Sequence, residues 1–303
     1  MARRVFVYEC VSAGGLGINV PASLLREGRA MRDAVAADFE RISGVEVITL
    51  DHDEAFAQTA RNCEWTLVIA PEFDDLLASR CRTALAMGSR LLGPLPNAVD
   101  VTSDKLATAR WWEQHGVPHP WTALLTSADL TRRAPPWVVK PRWGAGSQAM
   151  HLVHDVATVD SLASTRDDYL VQQYVPGQPA SVSLLIGPVQ TIALCPARQH
   201  LSGDGRFQYL GGSLPMPADL AERATKLALR AVAGIEGLQG YVGVDLVLGD
   251  RDYVIEINPR ITTSYLGLRQ LSEANLADLM WKVVHGERIQ TPAWRAGEVE
   301  FQV

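Results

Sequence analysis

The sequence predicts an α/β region of about a hundred residues followed by a longer α+β region, and three observations carry that expectation. Before residue 100, short apolar runs alternate with stretches of helical periodicity. After it, strand-like runs cluster, with one clear helix among them. The chain is also 303 residues long, more than one core usually serves, since domains run about 100–200 residues.

The first strand is expected at residues 4–8, with Ser12-Ala13-Gly14-Gly15-Leu16-Gly17 as a flexible turn after it. From Pro21 to about Phe39, Leu24, Leu25, Met31, Val35 and Phe39 recur at helical spacing. Strands follow at 45–50 and 65–70, the second leading into a helical stretch that ends near Gly88. Such alternation implies a small parallel sheet with crossover helices. The breaker cluster Gly93-Pro94-Leu95-Pro96-Asn97 is the expected linker. Thr102-Ser103-Asp104-Lys105 reads as a helix start with hydroxyl caps, running to Gly116. Pro135-Pro136 leads into a strand at 137–140. Further strands are expected at 169–175, 181–186, 189–194, 241–248 and 253–257. One helix is expected over 218–234, with Leu220, Ala224, Leu227, Ala228 and Ala231 on one face. Three units follow, at 1–97, 98–180 and 181–303.

A hydrophobic content of 47% with 20% charged residues argues against disorder. The net charge of −6 argues against a nucleic-acid partner. Cys10, Cys63, Cys81 and Cys195 are scattered and read as reduced, buried small hydrophobes. Glu9 interrupts the apolar run behind Arg3 and Arg4, so no signal peptide is read there. No stretch approaches the ~18 apolar residues a membrane span needs. A cytoplasmic protein without a membrane partner is expected, with a homodimer left open. Of the basic residues 24 are Arg and only four are Lys, at positions 105, 140, 226 and 282, so the placement of each Lys is informative.

The most informative stretch runs from Gly240 to Arg260. Two strand-like runs flank Gly249-Asp250-Arg251-Asp252, which reads as a hairpin loop. If Leu248 pairs with Tyr253, Asp245 faces Glu256 across the ladder and Asn258 shares their face. Val244, Leu246, Ile255 and Ile257 then cover the other face. Opposed carboxylates repel unless a proton or cation lies between them, and an oxygen-only set suits Mg²⁺. A solvated acidic edge is the plain alternative. Upstream, Val138-Val139-Lys140-Pro141-Arg142-Trp143-Gly144-Ala145-Gly146-Ser147-Gln148 ends a strand at Lys140 and continues into a glycine loop whose N–H groups can fold over phosphate. It is neither a Walker A loop nor a Rossmann turn. His151 and His154, three apart on a strand, point to opposite faces and do not form a metal pair.

Taken in order, Lys105 on a helix start, Lys140 before the glycine loop, the hinge Gln172-Gln173-Tyr174-Val175-Pro176-Gly177, and Asp245 with Glu256, Asn258 and Arg260 resemble the ATP-grasp ligases over roughly residues 95–265. The resemblance implies an ATP-grasp fold with an N-terminal Rossmann-like pre-ATP-grasp domain, a lid subdomain and a C-terminal mixed-sheet subdomain. It implies ATP under the lid, with Lys105, Lys140, Gly144, Gly146 and Ser147 on the phosphates and the backbone of Tyr174 and Val175 on adenine. Asp245, Glu256 and Asn258 would hold Mg²⁺, two ions or Mn²⁺ in their place, and Arg260 would steady the transferring phosphoryl group. The family's Glu two residues after the hinge glycine is replaced by Pro179, leaving Gln178 or Gln172 for the ribose.

The segments Tyr8-Glu9-Cys10-Val11-Ser12-Ala13-Gly14-Gly15, Arg26-Glu27-Gly28-Arg29-Ala30-Met31 and Asn258-Pro259-Arg260-Ile261-Thr262-Thr263-Ser264-Tyr265 resemble the tyramine–glutamate ligase branch of methanofuran-type cofactor synthesis. That implies small-molecule substrates, a glutamate carboxylate and an aromatic amine. Arg198 and Gln199 are candidates for the substrate carboxylate or acyl phosphate, against a solvated loop charge as the alternative for Arg198. Thr262, Thr263, Ser264 and Tyr265 are candidates for the acceptor pocket, against a plain helix start. An ATP-grasp kinase or carboxylase, a non-catalytic nucleotide sensor and a Rossmann oxidoreductase are the competing readings.

Overall fold

The computed structural model describes residues 2–17, 19–144, 149–164 and 166–302. The N-terminal unit is a parallel sheet in the order β2-β1-β3-β4. It runs β1 (Arg3–Glu9), α1 (Ala22–Glu40), β2 (Val45–Ile48), α2 (Phe56–Arg61), β3 (Trp65–Ile69), α3 (Leu76–Ala86) and β4 (Arg90–Leu91). Both faces of β1 are covered, as a parallel strand requires. Val5 and Val7 join a core with Met31 and Phe39 of α1, while Phe6 and Tyr8 pack with Phe56, Leu77 and Cys81.

The expected linker is shorter than the breaker cluster suggests, because Pro96 opens α4 (Pro96–Ser103). A first-turn proline lacks only an N–H that the helix leaves unpaired anyway. Thr102 and Ser103 therefore close α4 instead of capping the next helix. The cap of α5 (Lys105–Gln114) is Asp104, whose extended backbone separates the two helices and whose carboxylate accepts from Leu106 N and Ala107 N at 3.0 and 3.2 Å.

A second sheet, antiparallel in the order β5-β8-β6-β7, is built from β5 (Thr122–Leu124), β6 (Trp137–Pro141), β7 (His151–Val153) and β8 (Tyr169–Gln173). A short helix, α6 (Val156–Ala163), connects its last two strands under an Asp155 cap.

The third sheet holds β9 (Gln178–Ile186), β10 (Thr191–Ala193), β11 (Ala197–Leu201), β12 (Tyr209–Leu214), β13 (Gly240–Leu248), β14 (Tyr253–Asn258) and β15 (Val299–Gln302). Its order is β14-β13-β9-β11-β12-β15, with β10 on β9. The back face is sealed by α7 (Ala218–Val232), whose Ala224, Leu227, Ala228 and Ala231 pack on Val182, Val244, Leu246 and Ile257. On the other face α8 (Ser264–Leu271) and α9 (Leu276–Val284) share one core with α1 and β1, so the first and third units are packed together.

Strands β11, β12 and β15 are absent from the sequence reading because glycines hide the first pair. A Cβ on Gly212 would stand 2.5 Å from the Arg198 carbonyl oxygen, and one on Gly211 would collide with the backbone of β15. Neighbouring strands come too close there for any side chain.

Candidate functional site

The β13–β14 hairpin places Asp245 opposite Glu256 and Gly243 opposite Asn258, as the sequence expects. Nearer the turn the register slips by one: Leu246 faces Val254 and Val247 faces Tyr253, so Leu248 and Tyr253 are not partners. A bulge at Ile255 absorbs the difference. Val254 takes the core position next to Ile257, and Ile255 lines the cleft instead of the back face.

That cleft lies between the second and third sheets. Asn258 donates to Asp245 Oδ2 at 3.0 Å and Gln199 donates to Asp245 Oδ1 at 2.8 Å. Burial, and next the charge of Glu256, push the Asp245 carboxyl up to about 7. Burial acts on Glu256 in the same sense, but Lys105 and Lys140 outweigh it and hold that carboxyl below its usual range. Lys105 Nζ is 3.4 Å from Glu256 and donates to the Gly144 carbonyl at 2.7 Å. Lys140 is 2% exposed and donates to Gln172 Oε1 at 3.0 Å. Its burial, with Lys105 nearby, lowers its pKa to about 8.

Among the described residues, no group of three or more His, Cys, Asp or Glu side chains is arranged to hold a metal ion. The present set is two carboxylates and an amide, which suits a cation that keeps waters and shares phosphate oxygens. Two half-buried carboxylates face each other, one with its proton affinity raised, and the Asn258 amide spends its N–H on Asp245 so that its oxygen is left to coordinate. These residues fit Mg²⁺.

The structure brings Lys140, Gln172, Tyr174, Val175, Gln199, Asp245, Glu256, Asn258, Arg260, Thr262, Thr263 and Ser264 around one cleft. Lys105 and Gly144 reach it through the Lys105 contact with Glu256. Gly146 and Ser147 lie outside the described residues. Gln172 lines the cleft but uses its carbonyl on Lys140 and its amide on Thr122 Oγ1, 2.8 Å away, so it orients the lysine.

Three expected residues are directed elsewhere. Gln178 is paired with Leu248 and alternates to the back face, leaving Pro179 on the cleft. Arg198 sits one residue out of phase with Gln199 and Leu201, which line the cleft, and it pairs with Ala180, a residue of the α7-side core. Tyr265 is buried at 1% exposure, donates to Asp38 Oδ2 at 2.8 Å and packs edge-on against Tyr241, as a core residue.

Gln199 acts through Asp245 in this structure, and Thr262 bonds Tyr241 while Ser264 bonds Ser181. Arg260 is anchored by Glu72 through two bonds, Nε to Oε1 at 2.8 Å and Nη2 to Oε2 at 3.3 Å. Glu72 follows β3 at the carboxyl end of the first sheet, where open parallel sheets place ligands, a signal that could have singled it out. Glu27 of α1 also lines the cleft and accepts from Thr263 at 2.6 Å. Phe207 and Tyr209 complete the wall, Phe207 stacked on Tyr174 with ring centroids 6.1 Å apart. Both were hidden by the unread β11–β12 segment.

A family model for the ATP-grasp domain matches residues 102–264, and one for the pre-ATP-grasp 3 domain matches residues 29–99. The tyramine–L-glutamate ligase of Methanocaldococcus fervens is 27% identical over 261 residues, 84% of this chain and 79% of that one. A solved ATP-grasp superfamily protein of Archaeoglobus fulgidus superposes with a TM-score of 0.77 at 25% identity, covering 96% of this chain and 90% of that one. D-alanine–D-alanine ligase of Bacillus anthracis, solved with ATP, shares the fold with a TM-score of 0.68 at 16% identity, covering 93% and 97%. The domain match covers more than half of the chain, both lysines and the carboxylate pair fall inside it, and the protein therefore belongs to the ATP-grasp family, as an ATP-binding ligase of that family.

Proposed function

We propose that the chain activates a carboxylate with ATP and joins it to an amine, the carboxylate being glutamate and the amine tyramine or tyrosine, in the synthesis of a methanofuran-type cofactor. The observation that carries this is the opposed pair of Asp245 and Glu256, flanked by Asn258, with Lys105 and Lys140 facing Glu256 and Arg260 lining the same cleft. The choice of substrates is supported by the likeness to the Methanocaldococcus ligase.

ATP is a substrate in this reading. Its γ-phosphoryl group passes to a carboxylate oxygen, giving ADP and an acyl phosphate. The amine nitrogen then attacks the acyl carbon, the C–N bond forms, phosphate leaves and the nitrogen gives up a proton. ATP and a carboxylate bring like charges together, so the cations of the site carry the chemistry. Lys140, held by Gln172, and Lys105, held by Gly144, take the phosphates. Arg260 faces the transferring group and Glu72 fixes its plane. Mg²⁺ held by Asp245, Glu256 and Asn258 would neutralise phosphate charge and polarise the phosphoryl oxygens. The hinge at Tyr174 and Val175, with Phe207 beside it, receives the base.

The test is a coupled ADP-release assay of amino acids crossed with amines in Mg²⁺, with the product identified by mass. ADP release that needs both glutamate and an arylalkylamine, and an amide product, is expected. Release with neither dependence would overturn the reading.

A further inference from the structure

The register of β9 and β13 gives the floor of the nucleotide cleft a fixed order. A Cβ on Gly177 would stand 2.5 Å from the Leu248 carbonyl oxygen and 2.8 Å from Val247 Cγ1, so the hinge closes on that end of β13. Val247 is paired with Pro179, and two residues along, Asp245 is paired with Ser181. Side chains two apart share a face, and the step between them is about 7 Å. The floor therefore runs from a hinge row, Val247 and Pro179, to a cation row, Asp245 with Glu256. A nucleotide with its base at the hinge and its phosphates at the cations lays its sugar across the hinge row.

That row is apolar. Pro179, Val247 and Ile255 line the cleft there, and none of them has a hydrogen-bonding side chain. A ribose brings two hydroxyls, which lose water in the cleft and need acceptors in exchange. The nearby amides of the hinge are engaged or turned away. Gln172 is held by Lys140 and Thr122, and Gln178 takes the back face. Gln173 donates to the carbonyls of Ala134 and Pro136 at 3.0 and 3.1 Å.

Gln199 is placed differently. Arg198 is paired with Ala180, so Gln199, the next residue of β11, stands beside Pro179 on the cleft face. Its side chain crosses β9 and donates from Nε2 to Asp245 Oδ1 at 2.8 Å. That bond lays the carboxamide over Pro179, between the two rows, and fixes its orientation. With the nitrogen drawn to the cation row, the oxygen at the other fork faces the hinge row. Among the described residues Gln199 Oε1 accepts no hydrogen bond. A free carbonyl oxygen suits a hydroxyl donor and repels a carboxylate or a phosphate.

We infer that Gln199 is the ribose-binding residue of the nucleotide site. Its Oε1 accepts from the vicinal hydroxyls of the sugar while its Nε2 holds Asp245, so one amide ties the sugar to the cation site. The inference rests on the cleft being the ATP site, and it is independent of which carboxylate and amine are joined.

The experiment measures, by calorimetry in Mg²⁺ on the full chain, the binding of ADP and of 2′,3′-dideoxy-ADP to the wild type, Gln199→Leu and Gln199→Met. No carboxylate or amine substrate is present. The wild type should bind ADP about fivefold more tightly than the dideoxy nucleotide, the scale of one neutral hydrogen bond. Both variants should bind the two nucleotides alike. Loss of the Asp245 contact weakens both nucleotides equally and cancels in the ratio, so the ratio reports contact with the sugar. Equal binding of the two nucleotides by the wild type, or a ratio kept in both variants, overturns the inference. The wild-type comparison needs no substitution, and thermal melts confirm that the variants fold. A wild type that binds neither nucleotide overturns the nucleotide reading of the cleft and this inference with it. ADP release that depends on neither a carboxylate nor an amine overturns the ligase reading alone, because the binding ratio is measured without either substrate.

Discussion

Lys105 stands 3.4 Å from Glu256, and Glu256 stands opposite Asp245 across the β13–β14 ladder. One helix start from the middle of the chain thus meets one strand pair near its end, and charge sorts the two carboxylates. The acid next to the lysines stays ionised, and the acid behind it is pushed toward its neutral form.

Glu256→Gln removes the carboxylate that both lysines face. It should lower substrate-dependent ADP release by about a thousandfold, the scale of losing a buried electrostatic group at a phosphoryl-transfer centre. Steady-state assays at saturating ATP check this, and activity near wild type would sink the assigned role.

If Asp245 holds Mg²⁺ as proposed, its binding should depend on pH. With its carboxyl raised to about 7, the metal-free protein keeps a proton there that the unfolded chain has released above about pH 4. Stability from this group is therefore fully present below about pH 4 and is lost as pH rises through about 7. Melts in EDTA should show that loss, and Asp245→Asn should abolish it. Because proton and cation compete for the same oxygens, Mg²⁺ affinity should strengthen toward pH 8, by up to about tenfold per unit below the pKa. Calorimetric titration of Mg²⁺ against pH measures it.

Glu72→Gln leaves the Arg260 guanidinium, 14% exposed, without its carboxylate. Breaking such a pair should cost about 3 kcal/mol of stability, since the desolvated charge remains. It should also loosen the arginine, so kcat falls more than the KM for ATP. A melt and a two-substrate kinetic series separate the effects.

Tyr265→Phe distinguishes a core tyrosine from an acceptor-pocket one. Losing the bond to Asp38 should cost about 1–3 kcal/mol in denaturant unfolding. The KM values for both substrates should stay unchanged. Arg198→Ala should likewise leave the KM for the carboxylate unaltered, because its neighbours Gln199 and Leu201 occupy the cleft side of β11.

The site was legible in the sequence where its chemistry is local to one hairpin or one strand end. Alternation puts Glu256 and Asn258 on one face of β14, and it is the bulge at Ile255 that brings Asp245 opposite Glu256 although the turn pairs Val247 with Tyr253. Lys140 before a glycine loop carries its meaning in the same way. Tertiary packing decided everything that depends on which strand lies beside which. Nothing in residues 197–212 shows which parity of β11 faces the cleft, because that phase is set by pairing with β9, about twenty residues earlier. Glu72 and Arg260 are 188 residues apart and meet because the carboxyl ends of a parallel sheet abut the end of β14. Periodicity encodes which side of its own strand a residue takes. It does not encode what stands across from that side, and the partners of Arg260, Gln199 and Tyr265 are facts of the second kind.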